Sequence, residues 1–115
     1  MKYVVRPEIR GLIFDLDGTL ADSMPLSFRA WQNALSRYDA SIDSSVLKPF
    51  LGAPGIRIAE EILRVTNLSA EVPVKEIVES KQEEYHKLQH LILPIEPVMD
   101  IVRRYHGILP MAVGT

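Results

Sequence analysis

The fold is decided by one stretch of sequence, Leu12-Ile13-Phe14-Asp15-Leu16-Asp17-Gly18-Thr19-Leu20-Ala21-Asp22-Ser23. The apolar run from residue 11 to residue 14 stops abruptly at a run that is mostly polar. This pattern is typical of a buried strand that ends at a turn. We therefore predict a first strand whose carboxyl end carries the acidic residues that follow.

Asp15 and Asp17 are two carboxylates that lie two residues apart at the end of this strand. Side chains at positions i and i+2 point the same way while the chain is extended, so both carboxylates are expected at one small site. Such a pair resists double ionisation unless a cation or a shared proton compensates, and Mg²⁺ suits it. Gly18 allows a tight turn in which backbone N–H groups approach an anion such as phosphate. The residues alone indicate metal-assisted phosphate chemistry.

Two other interpretations of the acidic stretch compete with this one. A calcium-binding EF-hand loop also begins Asp-x-Asp, but its fifth, sixth and twelfth positions are occupied here by Thr19, Leu20 and Leu26, which excludes it. An acidic surface turn is the other interpretation. The whole stretch of residues 12–23 argues against it.

Apolar residues recur at helical spacing after the motif. Helices are predicted from residue 25 to about 38, from 56 to about 67, from 73 to about 88 and from 98 to 105, and a second strand from 108 to 113. No hairpin signal joins the two strands, so parallel pairing through a crossover is expected. The helical stretch is longer than a crossover needs, which predicts a subdomain inserted over the carboxyl edge of the sheet, where open α/β sheets bind ligands.

Composition excludes several classes of function. The 115 residues carry 13 Lys and Arg against 15 Asp and Glu, a formal net charge of −2, so neither nucleic acid nor a membrane is an expected partner. No cysteine is present, which excludes thiolate catalysis and Cys-ligated zinc and fits a reducing compartment. The sequence shows no spanning segment and no signal peptide. We expect a cytoplasmic protein.

Residues 12–23 resemble the first motif of the haloacid dehalogenase-like (HAD) phosphohydrolase superfamily, Asp-x-Asp-Gly-Thr-Leu-x-Asp-Ser. The predicted order of elements is similar to that in the branch that contains β-phosphoglucomutase, phosphoglycolate phosphatase and fructose-1-phosphate phosphatase-like proteins. The closing residues 105–115 look most like those of the fructose-1-phosphate phosphatase-like proteins. The resemblance implies an α/β fold. A Rossmann-like core with a parallel sheet, here only its first part, would comprise residues 1–23 and 91–115, with an all-helical cap at 24–90.

The resemblance also implies roles for individual residues. Asp15 would be the nucleophile that forms an aspartyl phosphate, and Asp17 the general acid and base. Both would ligate Mg²⁺, Asp15 through its carboxylate and Asp17 through its backbone carbonyl. Thr115, like the backbone at Gly18, would bind phosphate. In the cap, Arg57 and Lys81 match residues that contact substrate. Their structural alternatives are a solvated arginine and a lysine at the edge of an apolar face.

The implied activity is that of a Mg²⁺-dependent phosphatase, a phosphoric monoester hydrolase of a small phosphorylated sugar or similar metabolite. Two alternatives stay open. The first is a β-phosphoglucomutase-like phosphomutase, although Ser27 is evidence against it because such relatives often carry histidine at this position. The second is a non-catalytic fragment that binds a metabolite or a partner chain. The family also needs a downstream basic residue and further acidic ligands, and none can follow Thr115. The 115-residue chain is therefore expected to be an inactive N-terminal portion, with the missing C-terminal half as a candidate partner.

Overall fold

The computed structural model describes residues 4–50, 52–66, 68 and 71–114. The elements follow in the order β1 (Leu12–Asp15), β2 (Ala21–Asp22), α1 (Met24–Ser36), α2 (Ser44–Leu47), α3 (Gly55–Val65), α4 (Val74–Leu88), β3 (Leu93–Pro94), α5 (Glu96–Tyr105) and β4 (Met111–Gly114). They form two compact units. The sheet unit comprises Met1–Met24 and Ile92–Thr115, and the helical unit comprises Pro25–Leu91. Within the described ranges, no helix is both long enough and apolar enough to cross a membrane.

The sheet unit is built on a parallel pair of strands. β1 lies beside β4, with Leu12 opposite Met111 and Asp15 opposite Gly114, so the predicted parallel pairing is confirmed. Phe14 of β1 is buried, and it lines a groove of about 250 Å³ together with residues of α5 and β4. Side chains alternate between the two faces of a strand. One face of the pair is therefore turned toward α5.

β4 begins later than predicted, at Met111 rather than at Ile108. The N–H groups of Ile108 and Leu109 both donate to the carbonyl oxygen of Tyr105, at 3.0 Å each. These hydrogen bonds close the turn after α5, in which Gly107 takes a positive φ of 79°. Because the turn uses these backbone donors, the apolar run cannot enter the sheet until the turn is complete.

A second, antiparallel pair of strands was not predicted. Ala21 lies opposite Pro94 and Asp22 opposite Leu93, and the N–H of Ile95 donates to the carbonyl of Leu20 at 2.8 Å. Strands of two residues show no periodicity, and proline argues against a strand in a sequence. We call this pair the linker ribbon. It brings the two ends of the helical insertion together within the sheet unit.

The helical unit has an apolar core drawn from several of its helices. Its buried members are Trp31, Leu35, Ile42, Leu47, Ala59, Ile62 and Ile77. Trp31, Leu35, Ile62 and Ile77 are among the apolar residues that recur at helical spacing in the sequence, whereas Val65, at the end of α3, is 42% exposed. Trp31 is only 3% exposed and packs within this core.

Two helices of this unit end earlier than predicted. α1 stops at Ser36 because Asp39 takes a left-handed conformation, with φ of 54°, and the N–H of Ala40 donates to the carbonyl of Leu35 at 3.1 Å. This is a Schellman-type ending, which closes the last turn. α3 ends at Val65. The predicted end near Asn67 lies outside the described residues.

The core of the helical unit can be tested with two isoleucines of α3. Ile62 is fully buried, whereas Ile56 is 57% exposed. Ile62→Ala should lower the free energy of unfolding by about 2–5 kcal/mol, because it removes buried methyl groups and leaves a cavity. Ile56→Ala should change it by no more than about 0.5 kcal/mol.

Urea unfolding followed by the fluorescence of Trp31 makes the measurement, because this is the chain's single tryptophan and it lies in the same unit. Equal losses in the two variants would contradict the packing of α3 described above.

Candidate active site

Asp15 is the last residue of β1 and is exposed. It lies opposite Gly114, the last residue of β4, so the two parallel strands end side by side. The carboxyl ends of parallel strands are where α/β sheets bind ligands. The predicted phosphate-binding residue Thr115 follows Gly114 but lies outside the described residues.

A folded turn follows Asp15. The carbonyl oxygen of Leu16 accepts hydrogen bonds from the N–H groups of Thr19, Leu20 and Ala21, at 3.2, 2.9 and 3.0 Å. The strand that carries Asp15 therefore ends at that residue. The prediction from the spacing had assumed that the chain stays extended as far as Asp17. The turn, rather than the alternation of a strand, sets the position of the second carboxylate.

Gly18 makes this turn possible, since its φ is +77° and only glycine adopts such a conformation freely. Its N–H donates to the carbonyl of Ala21 at 2.9 Å. That donor is used inside the turn, so a backbone donor for phosphate would have to come from a neighbouring residue. Phosphate binding at Gly18 stays a prediction.

Asp17 is oriented by a hydrogen bond from Ser23, a residue for which no role was predicted. The hydroxyl of Ser23 donates to Oδ1 of Asp17 at 2.7 Å. Ser23 is only 2% exposed, and a buried hydroxyl needs a hydrogen-bond partner. The motif contains a signal for this hydrogen bond, because it places a hydroxyl residue shortly after the acidic turn. Ser23 directly precedes α1, so this contact joins the Asp17 carboxylate to the residue before that helix.

The donor set fits part of a magnesium site. Asp15 and Asp17 are exposed oxygen donors, and Mg²⁺ is commonly held by one or two carboxylates with several waters. Within the part of the chain that the structure describes, no group of three or more acidic, histidine or cysteine side chains could hold a metal ion. The chain thus offers two carboxylates, and the remaining ligands of such a site would be water or other groups.

The two predicted cap residues lie in the helical unit. Arg57 is exposed in the first turn of α3, and its N–H donates to the carbonyl of Pro54 at 3.0 Å. Lys81 is half-buried on α4, with its Nζ atom 4.6 Å from the ring centroid of Tyr85 and 5.5 Å from that of Trp31. The sequence predicted the helical stripe that carries Lys81 but not these ring contacts. Asp15, Asp17 and Gly18 are brought together in one loop of the sheet unit.

Comparison with known proteins agrees with this architecture. Residues 12–113 match the profile of the haloacid dehalogenase-like hydrolases. The chain is 35% identical over 107 residues to fructose-1-phosphate phosphatase YqaB of Escherichia coli (strain K12), covering 91% of this chain and 55% of that protein. It is 32% identical over 108 residues to validoxylamine A 7'-phosphate phosphatase of Streptomyces hygroscopicus subsp. limoneus, covering 81% of this chain and 51% of that protein.

Solved structures show the same fold. A hydrolase from Pseudomonas syringae superposes with a TM-score of 0.72 at 25% identity, covering 93% of this chain and 50% of that one. CbbY from Rhodobacter sphaeroides, in complex with phosphate, superposes with a TM-score of 0.74 at 23% identity, and the match covers 91% of this chain and 50% of that one. The predicted Rossmann-like α/β fold class is confirmed. The chain spans about half the length of the curated relatives it matches.

Removing the hydroxyl of Ser23 tests whether its hydrogen bond restrains the side chain of Asp17. In Ser23→Ala the Asp17 side chain should exchange among several χ1 rotamers, so its two Hα–Hβ NMR couplings should converge toward one averaged value. The loss of one hydrogen bond should cost about 0.5–1.5 kcal/mol of stability. Ser23→Thr keeps the hydroxyl and should keep the couplings. Couplings unchanged in Ser23→Ala would mean that another contact fixes Asp17.

Proposed function

Because the chain belongs to the haloacid dehalogenase-like hydrolase family, we propose that it is the nucleophile-bearing part of a Mg²⁺-dependent phosphatase. Its substrate would be a small phosphorylated sugar or similar metabolite. The observation that carries the proposal is the loop at the end of β1, with Asp15 exposed beside the end of β4 and Asp17 oriented by Ser23. The curated relatives add support, since two of them are named phosphatases of small phosphorylated molecules.

The reaction has two steps. A carboxylate oxygen of Asp15 attacks phosphorus in line, and the bond from phosphorus to the leaving oxygen breaks as Asp17 donates its proton to that oxygen. Water then attacks phosphorus in the aspartyl phosphate while Asp17 accepts the water's proton, and the bond to Asp15 breaks to release phosphate. Bound by the Asp15 carboxylate and the Asp17 carbonyl, Mg²⁺ would neutralise charge on the transferred phosphoryl group.

The other residues would bind substrate. Thr115 would donate its hydroxyl to a phosphoryl oxygen, and the turn at Gly18 would bring backbone donors near the same group. Arg57 and Lys81 would contact the rest of the substrate from the helical unit, because both carry positive charge and match cap residues of the family. We also place the protein in the cytoplasm, with neither nucleic acid nor a membrane as partner, on its charge and its lack of cysteine.

We further propose that the sheet unit packs against polypeptide equivalent to the rest of the relatives' length. Ile13 and Val113 are 82% and 53% exposed on paired strands. Parallel sheets are normally covered on both faces, and a two-stranded sheet is marginal as a scaffold. That polypeptide would supply the basic residue and the further acidic ligands that the family resemblance implies, so we expect the 115-residue chain alone to have no turnover.

A chimera tests this function. The 115-residue chain, verified by an intact mass of 13.0 kDa, is assayed alone and joined to the part of the Escherichia coli relative that the match leaves uncovered, with fructose 1-phosphate as probe. The chimera should release phosphate with Mg²⁺ and lose this activity in EDTA. Asp15→Asn in the chimera should lower kcat by at least about a thousandfold, because the nucleophile is gone.

Asp22→Asn is the matched control, since Asp22 is exposed in the same segment but outside the pair of carboxylates. It should leave kcat within about twofold, as expected of a surface substitution. Turnover by the 115-residue chain itself, or by the Asp15→Asn chimera, would contradict the proposal. A requirement for a sugar bisphosphate would favour the phosphomutase alternative.

A further inference from the structure

Met24, the first residue of α1, packs against the acidic turn. Its Cγ and Cε atoms are both 3.9 Å from the position that a Cβ atom would occupy at Gly18. Apolar atoms at such a separation are in van der Waals contact. Gly18 has no side chain, so the half-buried side chain of Met24 occupies the space beside it. The turn is therefore lined at this point by an apolar thioether.

The Asp17 carboxylate lies near Met24. Ser23, whose hydroxyl donates to Oδ1 of Asp17 at 2.7 Å, is the residue directly before Met24. Two consecutive residues at the start of α1 thus contact two consecutive residues of the turn: the hydroxyl orients the carboxylate, and the thioether packs on the glycine that follows it. All four residues belong to the sheet unit, so the arrangement is internal to that unit.

A general acid at Asp17 fixes where the leaving group of a phosphate ester must lie. It protonates the leaving oxygen from hydrogen-bond distance, and the first two carbon atoms of the leaving group are one and two bonds from that oxygen. These carbon atoms therefore lie within roughly 6 Å of the Asp17 carboxylate. This is the region of the turn on which Met24 packs, so the thioether is placed to contact them.

A thioether discriminates among leaving groups by their charge. Methionine has no hydrogen-bond donor, and its sulfur is only a weak acceptor. Its flexible, polarisable side chain packs readily against carbon atoms. A carboxylate or a second phosphate in the same place would lose water and gain no donor in return, which costs free energy. Methionine at position 24 therefore favours an uncharged carbon next to the ester.

We propose that Met24 is a specificity-determining residue: it contacts the first carbon atoms of the leaving group and selects phosphate esters in which the carbon next to the ester carbon bears no charge. The inference rests on the proposed phosphatase function and narrows its substrate class. A sugar phosphate that is otherwise uncharged is favoured, and a phosphorylated hydroxy acid with its carboxylate beside the ester carbon is disfavoured.

Two probes test this selection in the chimera with the Escherichia coli relative. Fructose 1-phosphate and 2-phosphoglycolate both carry phosphate on a CH₂ group, and the next carbon is uncharged in the first and a carboxylate in the second. Met24→Gln offers an uncharged donor of similar length. It should raise kcat/KM for 2-phosphoglycolate relative to fructose 1-phosphate by about three- to tenfold, because a hydrogen bond to a charged group is gained. Met24→Leu stays apolar and should keep this ratio within about twofold.

NMR of the methionine ε-methyl groups measures the contact and the selection without turnover. The Asp15→Asn chimera is titrated with each probe in the presence of Mg²⁺, and Met24→Leu identifies the Met24 resonance by its absence. This resonance should shift on binding, with a Kd that is lower for fructose 1-phosphate than for 2-phosphoglycolate in proportion to that of Met24→Gln. Met111 is the internal reference: it pairs with Leu12, at the end of β1 and β4 remote from Asp15, and its resonance should stay unchanged.

The inference about Met24 and the proposed function fail in different ways. The inference is overturned if the Met24 methyl resonance does not shift, or if Met24→Gln leaves the relative use, or the relative binding, of the two probes unchanged. A chimera that binds through Met24 with the expected selection but does not release phosphate would contradict the phosphatase function alone. A chimera that releases phosphate while the Met24 resonance stays unmoved would contradict the inference alone.

Discussion

The parallel pairing of β1 with β4 is the constraint on which the candidate site depends. It places Asp15 next to Gly114, so the loop that carries the acidic residues begins where both strands end. The entropic cost of closing so long a connection grows only slowly with its length, which makes a large helical insertion tolerable. A register slip of one residue would turn Phe14 away from the groove near α5 and reverse the face on which Asp15 lies.

In both units a charged side chain contacts a neighbour that has no charge. The hydroxyl of Ser23 fixes one oxygen of Asp17, and the rings of Trp31 and Tyr85 lie under the ammonium of Lys81. A neutral partner restrains the geometry of a side chain and does not alter its charge. At Asp17, the contact with Ser23 restrains the carboxylate through a hydroxyl and not through an opposite charge.

Local features of this chain and the parallel pairing of β1 with β4 were predictable, whereas several other contacts between separate segments were not. The apolar run before Asp15 and the helical spacing of the insertion predicted β1 and the main helices. The sequence could not predict the linker ribbon, because its strands are too short to show a period, nor the late start of β4, which depends on a turn that uses backbone donors after Tyr105. The contacts of Ser23 with Asp17 and of Tyr85 with Lys81 also could not be predicted, because they depend on side-chain positions in the folded chain.

The linker ribbon has an evolutionary consequence. Paired residues of an antiparallel ribbon have Cα atoms about 4.5–5.5 Å apart, so the helical segment leaves from and returns to almost the same point. An insertion with adjacent ends can be lengthened, shortened or exchanged for another without moving the strands that flank it. The ribbon therefore makes the helical segment a module that can be exchanged at this junction while the acidic loop before it stays unchanged.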